Sequence, residues 1–297
     1  MSQENINCPQ ERELLESELA TAENLGQTAD GKLILLVSAE DGSAILEEIG
    51  RLREEAFRAV GEGTGGRRDT DCFDRYYRHI VLWDEKLLQI VGAYRLGEIW
   101  AWSDKDAEKL YSNTLFSYQE TAHPLFESGL ELGRSFVQPQ FWGKFSLDYL
   151  WQGIGAYVSR HPQVRYLFGP VSMSPLLSDL AKALLVRFYA LHYPDRENLA
   201  KSRQPFCPLP QQELLAKQLI LGLDRDADFI ALRERLDYLG VRIPTLFKQY
   251  SEVCTPSGVR FSDFNVDPNF NYCVDGLVFV DLKFLKNSKR KRYMNAT

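Results

Sequence analysis

Glu131 and Arg134 stand three residues apart in LELGRSFV (130–137), with the hydroxyl of Ser135 beside them. The stretch reads as a strand, and it runs into VQPQFWGKF (137–145), after which apolar residues recur at helical spacing. A helix that starts just past a strand end turns its first unbonded amides, and the positive end of its dipole, toward an anion. Lys144 stands at that point. A loop that wraps a pyrophosphate generally uses several glycines, so that its backbone can close around the ligand. Here there is one, Gly143, which suits a single phosphodiester. In a regular strand Glu131 and Arg134 would face opposite sides. Their use in one site requires a β-bulge between them, expected at Gly133, and a bulge also turns an amide out of the ladder toward a carbonyl oxygen. A strand carboxylate, such an amide and an anion loop together describe an acyl-transfer site. The plain alternatives are a surface Glu–Arg pair and an ordinary strand-to-helix turn with an exposed lysine.

The elements that must hold these residues follow from periodicity. Residues 10–25 read as a helix, with Leu14, Leu15, Leu19 and Leu25 on a charged background. KLILLVSAE is a strand, and Asp41-Gly42-Ser43 opens a helix with Ile45, Ile49, Leu52, Ala56 and Val60 on one face. YYRHIVLWD and LLQIVGAYRLG are strands around a turn at Asp84-Glu85-Lys86. Residues 104–128 read as mostly helical. A helix carries Leu147, Leu150, Trp151, Ile154 and Val158, then YLFGPVSMS is a strand. A long helix follows with Pro175 near its start, and a buried strand closes the pattern near 277–285. The order predicts an α/β (α+β) fold, a mixed, mainly antiparallel sheet flanked by helices. The expected organisation is a helical extension over 1–30, one domain over 31–285 with a helical insertion at 195–243, and a basic tail over 286–297.

At 297 residues and 44% apolar, the chain has material for a real core. A net charge of −6 argues against general nucleic-acid binding. The tail is the exception, with Lys286, Lys289, Arg290, Lys291 and Arg292. It is either a solvated, frayed end or a patch for an acidic partner or an anionic membrane surface. The five scattered cysteines have no metal or redox spacing and read as reduced thiols in a cytosol. No metal site is expected. The longest apolar run, LILLV, is too short to cross a bilayer, so any membrane contact would be peripheral.

Two motifs mislead. GEGTGG (61–66) matches G-x-G-x-x-G, but a helix precedes it and a charged loop follows, the reverse of a dinucleotide fingerprint. His79 and Asp84 have the H-x4-D spacing of glycerolipid acyltransferases, but in a strand residues five apart point to opposite faces. Gly153 and Gly155 lie inside a helix and are expected to let it lie close on the sheet.

V-x-P-x-x-W-G-K at 137–144 resembles the acyl-carrier loop of the GNAT acetyltransferase superfamily, with Trp142 where an arginine is usual. The chain further resembles the bacterial ornithine and glycine N-acyltransferases that make aminolipids, once labelled hemolysin-like. The matching pieces are EIGRLREEAFRAVGEGTG, DTDCFDRYYRHIVLWD, IVGAYRLG, LELGRSFV, LWQGIGAY and YLFGPVSMS, with a weaker one at DPNFNYCVDGLVFVDL. This branch is similar to acyl-homoserine lactone synthases, and their shared acidic pair and arginine read here as Asp71, Asp74 and Arg95.

The resemblance implies transfer of a fatty acyl group, typically 3-hydroxyacyl, from acyl carrier protein to the α-amine of ornithine or glycine, with no bound cofactor. It implies phosphopantetheine at Val137, Trp142, Gly143 and Lys144, and catalysis at Glu131, Arg134 and Ser135 with Glu131 as base. Arg95 or Arg134 would grip the amino acid's carboxylate. Asp71 and Asp74 would hold its ammonium or order the preceding loop, the alternative being a purely structural charge network. Acyl carrier protein is the implied partner, with an O-acylating enzyme and a membrane as further ones. Two other readings stay open: an inactive GNAT-fold interaction module, and a lactone synthase.

Overall fold

The computed structural model describes residues 4–38, 40 and 42–294. In chain order these form α1 (Arg12–Leu19), β1 (Glu23–Gln27), β2 (Leu33–Ser38), α2 (Ala44–Arg58), β3 (Arg78–Asp84), β4 (Gln89–Gly97), β5 (Phe116–Tyr118), α3 (His123–Phe126), β6 (Gly129–Val137) and α4 (Ser146–Arg160). Then follow β7 (Tyr166–Met173), α5 (Asp179–His192), β8 (Ala200–Ser202), α6 (Pro210–Leu219), α7 (Arg225–Tyr238), α8 (Thr245–Val253), β9 (Val259–Asp267), β10 (Cys273–Asp281) and α9 (Asn287–Tyr293). The chain divides into two compact units: Met1–Leu110, Ser128–Arg165 and Asn287–Thr297 form one, Tyr111–Glu127 and Tyr166–Lys286 the other. Both are mixed α/β bodies on antiparallel strands with helices alongside. Among the described residues no helix is long and apolar enough to cross a membrane.

In the first unit the strands run in the order β1-β2-β3-β4-β6, each antiparallel to its neighbour. β3 is buried at every position between its ends because helices cover both faces. α4 lies on one of them. A Cβ on Gly153 would come within 2.7 Å of Ile34 and 2.8 Å of Ile80, so only glycine lets this helix approach β2 and β3. Ile80 therefore faces α4, and its neighbour His79 faces the other way, toward Arg53 on α2. Gly155 does a different job from the expected one, since its missing side chain makes room for the backbone of Tyr293 on α9.

Several expectations change here. Residues 10–25 are a helix only to Leu19; Glu23–Gln27 is an edge strand that buries Leu25. Asp41 lies outside the described residues, and Ser43 caps α2 by accepting from the Leu46 amide. The β3–β4 turn occupies residues 85–88, with Asp84 accepting from the Lys86 and Leu87 amides. Within the basic tail, Asn287–Tyr293 form a docked helix, α9. Arg292 donates to both oxygens of Asp148 at 2.7 and 2.9 Å, and Tyr293 is buried.

In the second unit β10 lies between β7 and β9, and β5 pairs with β8. The closing segment is thus a hairpin of two strands rather than a single one. Residues 195–243 hold β8, α6 and α7. The stretch 104–128 is a series of short 3₁₀ turns with β5 and one turn of α-helix, because no apolar period there is long enough to sustain a helix. α5 starts at Asp179, past Pro175, because Ser178 accepts from the Ala181 amide.

Candidate active site

Register sets the first part of the site. His79 pairs with Arg95, and Arg95 with Gly133, while Glu131 sits opposite Gly97. These positions share one face of β3, β4 and β6. The β4–β6 ladder then slips: Ala93 pairs with Phe136 and Arg95 with Gly133, so Tyr94 faces two residues, Arg134 and Ser135. The required bulge exists, but Arg134 itself, not Gly133, takes the left-handed conformation, with φ of 48°. The side chain of Arg134 thereby reaches the acidic turn, with Nε 3.4 Å from Asp69 and Nη2 3.9 Å from Asp71. Ser135, the second residue of the bulge, is half-buried.

Glu131 is buried and accepts a hydrogen bond from the Tyr77 hydroxyl. Gly97 makes that bond possible, since a Cβ there would stand 2.6 Å from the Tyr77 ring. The guanidinium of Arg95 lies 5.2 Å from the centre of the same ring. Tyr77 was not among the residues expected from sequence; the glycine opposite a strand carboxylate was its only signal.

Asp71 and Asp74 form a capping box on the 3₁₀ turn Cys72–Arg75, in which Asp74 accepts from the Asp71 amide at 2.9 Å. Arg95 donates to Asp71 at 2.6 Å and to Asp74 at 3.1 Å. Arg53 holds Asp74 from the other side at 2.9 and 3.1 Å, and its second nitrogen lies 3.2 Å from His79 Nδ1. Asp74 is wholly buried and so fully engaged that the geometry favours the loop-ordering role over contact with an ammonium. Asp71 is partly exposed, and its Oδ2 has no hydrogen-bond partner.

Burial and charge tune these groups. Burial alone would raise the Asp74 carboxyl, but Arg53 and Arg95 outweigh it and hold it well below the usual range. Burial and the adjacent Arg53 push His79 down to about 3. That imidazole is neutral, and in accepting from Arg53 at Nδ1 it carries its proton on Nε2. It has no relation to Asp84, which caps its own turn, but it is no ordinary sheet histidine either. Asp69 is raised, because burial outweighs the attraction of Arg134 and Arg53. Burial, then Cys72 and Glu131, lift Tyr76 to about 12.

The expected acyl-carrier residues lie at the end of β6 and in the turn after it. Trp142 is half-exposed and donates from its indole to the Val137 carbonyl at 2.7 Å, which fastens the turn. Gly143 has φ of 74°, and Lys144 places its ammonium 5.2 Å from the Phe141 ring centre. No side chain caps the start of α4. Val137 thus ends the strand that carries Glu131, and Trp142, Gly143 and Lys144 stand in the turn that follows it.

The glycine-rich loop at 61–66 is filled from within. Glu54, wholly buried, accepts from the amides of Thr64 and Gly65, from the Thr64 hydroxyl and from Arg58. Among the described residues no group of three His, Cys, Asp or Glu side chains is placed to hold a metal.

Residues 52–152 match the acetyltransferase (GNAT) domain. The glycine N(alpha)-acyltransferase of Phocaeicola vulgatus is 30% identical over 307 residues, covering 99% of this chain and 93% of its own. That of Bacteroides thetaiotaomicron is 31% identical over 261 residues, 83% of this chain and 77% of its own. The L-ornithine N(alpha)-acyltransferase of Rhodobacter capsulatus is 30% identical over 259 residues, 82% of this chain and 88% of its own.

Proposed function

The chain belongs to the GNAT-superfamily family of bacterial glycine and L-ornithine N(alpha)-acyltransferases, and on that premise we propose that it moves a fatty acyl group from acyl carrier protein to the α-amine of glycine or ornithine. The product would be the first intermediate of an aminolipid. The observation that carries this reading is Glu131, a buried carboxylate fixed by a tyrosine hydroxyl on a strand that bulges at the next charged residue and leads to a helix start without a side-chain cap.

The roles follow from position. The phosphodiester of the carrier's prosthetic arm meets the open first turn of α4 and Lys144. The arm then runs along β6 toward Glu131, and a backbone amide beside the bulge receives the thioester oxygen as charge develops there. Glu131, directly or through a water, removes the proton from the attacking amine. The amine closes on the thioester carbonyl, the tetrahedral intermediate collapses, and the thiolate leaves with a proton. No covalent enzyme intermediate is needed, because the thioester is already activated. Arg134, whose approaches to Asp69 and Asp71 are 3.4 and 3.9 Å, is held more loosely than Arg95, which donates to Asp71 at 2.6 Å and to Asp74 at 3.1 Å, and is the guanidinium we assign to the amino acid's carboxylate. The cations of α9, on the same unit as the anion loop, favour an acidic carrier protein.

Lipid mass spectrometry of a host without aminolipids tests the reading once the chain is expressed there. New N-acyl glycine or N-acyl ornithine, named by head-group mass, is the expected result. Soluble protein with no new lipid would contradict it and return the inactive interaction module.

A further inference from the structure

A cleft of about 420 Å³ opens beside the acidic turn, lined by Gly42, Leu46, Glu47, Arg68, Asp71 and Arg75, with Thr70 and Cys72 completing its wall. Its volume falls within the range of small-molecule sites, roughly 300–1,000 Å³. Among the described residues that line it, the charges are mixed, two guanidiniums and two carboxylates, which suits a zwitterion better than an anion or a cation. Asp71 joins the cleft to the chemistry: Arg95, which binds Asp71, lies over the Tyr77 ring, and the Tyr77 hydroxyl is bonded to Glu131.

The other carboxylate is engaged differently. Glu47 forms an ion pair with Arg68, and both side chains are partly open to solvent. An amino acid with one ammonium and one carboxylate can span Asp71 and Arg134, whose Nη2 lies 3.9 Å from Asp71, without disturbing that pair. Ornithine brings a second ammonium, which must displace Arg68 from Glu47 or lie against a like charge. Like-charge contact is an effective way to exclude a competitor.

Resting on the acyltransferase reading above, we propose that this cleft receives the acceptor amino acid and that the Arg68–Glu47 pair selects glycine over ornithine. Two readouts test it. Cys72 is exposed in the cleft wall, while Cys8 and Cys207 are exposed elsewhere. Saturating glycine, without any acyl donor, should slow alkylation of Cys72 and leave Cys8 and Cys207 unchanged, as followed by peptide mass spectrometry. Ornithine should give no such protection in the natural chain and should give it in Arg68→Gln. In acyl transfer, Arg68→Gln should raise the ornithine-to-glycine ratio of kcat/KM by about tenfold, and Glu47→Gln added to it should reverse the gain. Cys72 alkylation indifferent to glycine, or an acceptor ratio unmoved by Arg68→Gln, would overturn the proposal. Cys72 protection without transfer to either amino acid would instead remove the acyltransferase reading and leave the cleft as an amino-acid site.

Discussion

Two loops of the first unit could each hold an anion, and they differ in what already occupies them. The glycine-rich loop at 61–66 closes around Glu54, a carboxylate supplied by the neighbouring helix. The turn at 138–145 has a single glycine, is tied back by the Trp142 indole, and leaves the start of α4 without a side-chain cap. Glycines create a nest of amides, but the nest is a binding site only if the protein does not fill it. The adjacent residue Arg53 acts like Glu54 on the next loop, holding Asp74 and meeting His79. α2 thus fastens residues 61–75 with two buried charges, while the 138–145 turn is held by its own Gln138 and Trp142 and leaves the first amides of α4 without a side-chain cap.

The sharpest way to break this contrast is Glu54→Ala. It leaves two amides and the Arg58 guanidinium without their buried acceptor. We expect a loss of about 3–5 kcal/mol in denaturant titration, with no rescue by phosphate. The second effect is on pH. His79 is lowered from 6.5 to about 3, so between those values the unfolded chain binds a proton that the folded chain refuses. Its contribution is complete above pH 6.5 and is lost as the pH falls. At pH 5 the loss is about 2 kcal/mol, and His79→Gln should flatten that part of the stability–pH curve. The smallest effect lies at the open loop. Lys144→Ala should raise KM for the acyl donor by about tenfold, while stability changes by less than about 0.5 kcal/mol. A stability loss at Lys144 as large as that at Glu54 would erase the distinction between the loops.

The strand–loop–helix that carries Glu131, Arg134 and Lys144 was legible because its cues are local: a strand pattern, a proline, one glycine and a new helical period. The bulge was legible as a need but not in place. Glycine was the natural guess for a distorted residue, yet the ladder slips at Arg134, whose side chain is held by Asp69 and Asp71. Tyr77 and Arg53 depend on contacts far apart in sequence. Arg53 did leave a trace, since it stands four residues after Ile49 on the buried face of α2, where a charge needs a partner. The edge strand Glu23–Gln27 left little, because a short polar segment becomes a strand only by pairing with β2. The docking of α9 was equally hidden, as its anchor Asp148 lies 144 residues before Arg292.

The central claim is that Glu131 is the base of an N-acyl transfer. The direct measurement is turnover of purified protein with a fatty acyl thioester on carrier protein, and separately on coenzyme A, using glycine and ornithine as acceptors. The natural chain and Glu131→Gln are compared after circular dichroism shows the variant folded. Amide formation with the carrier thioester is expected, with a drop in kcat of about 10²–10⁴-fold for Glu131→Gln. A folded Glu131→Gln protein that turns over at nearly the natural rate would contradict it.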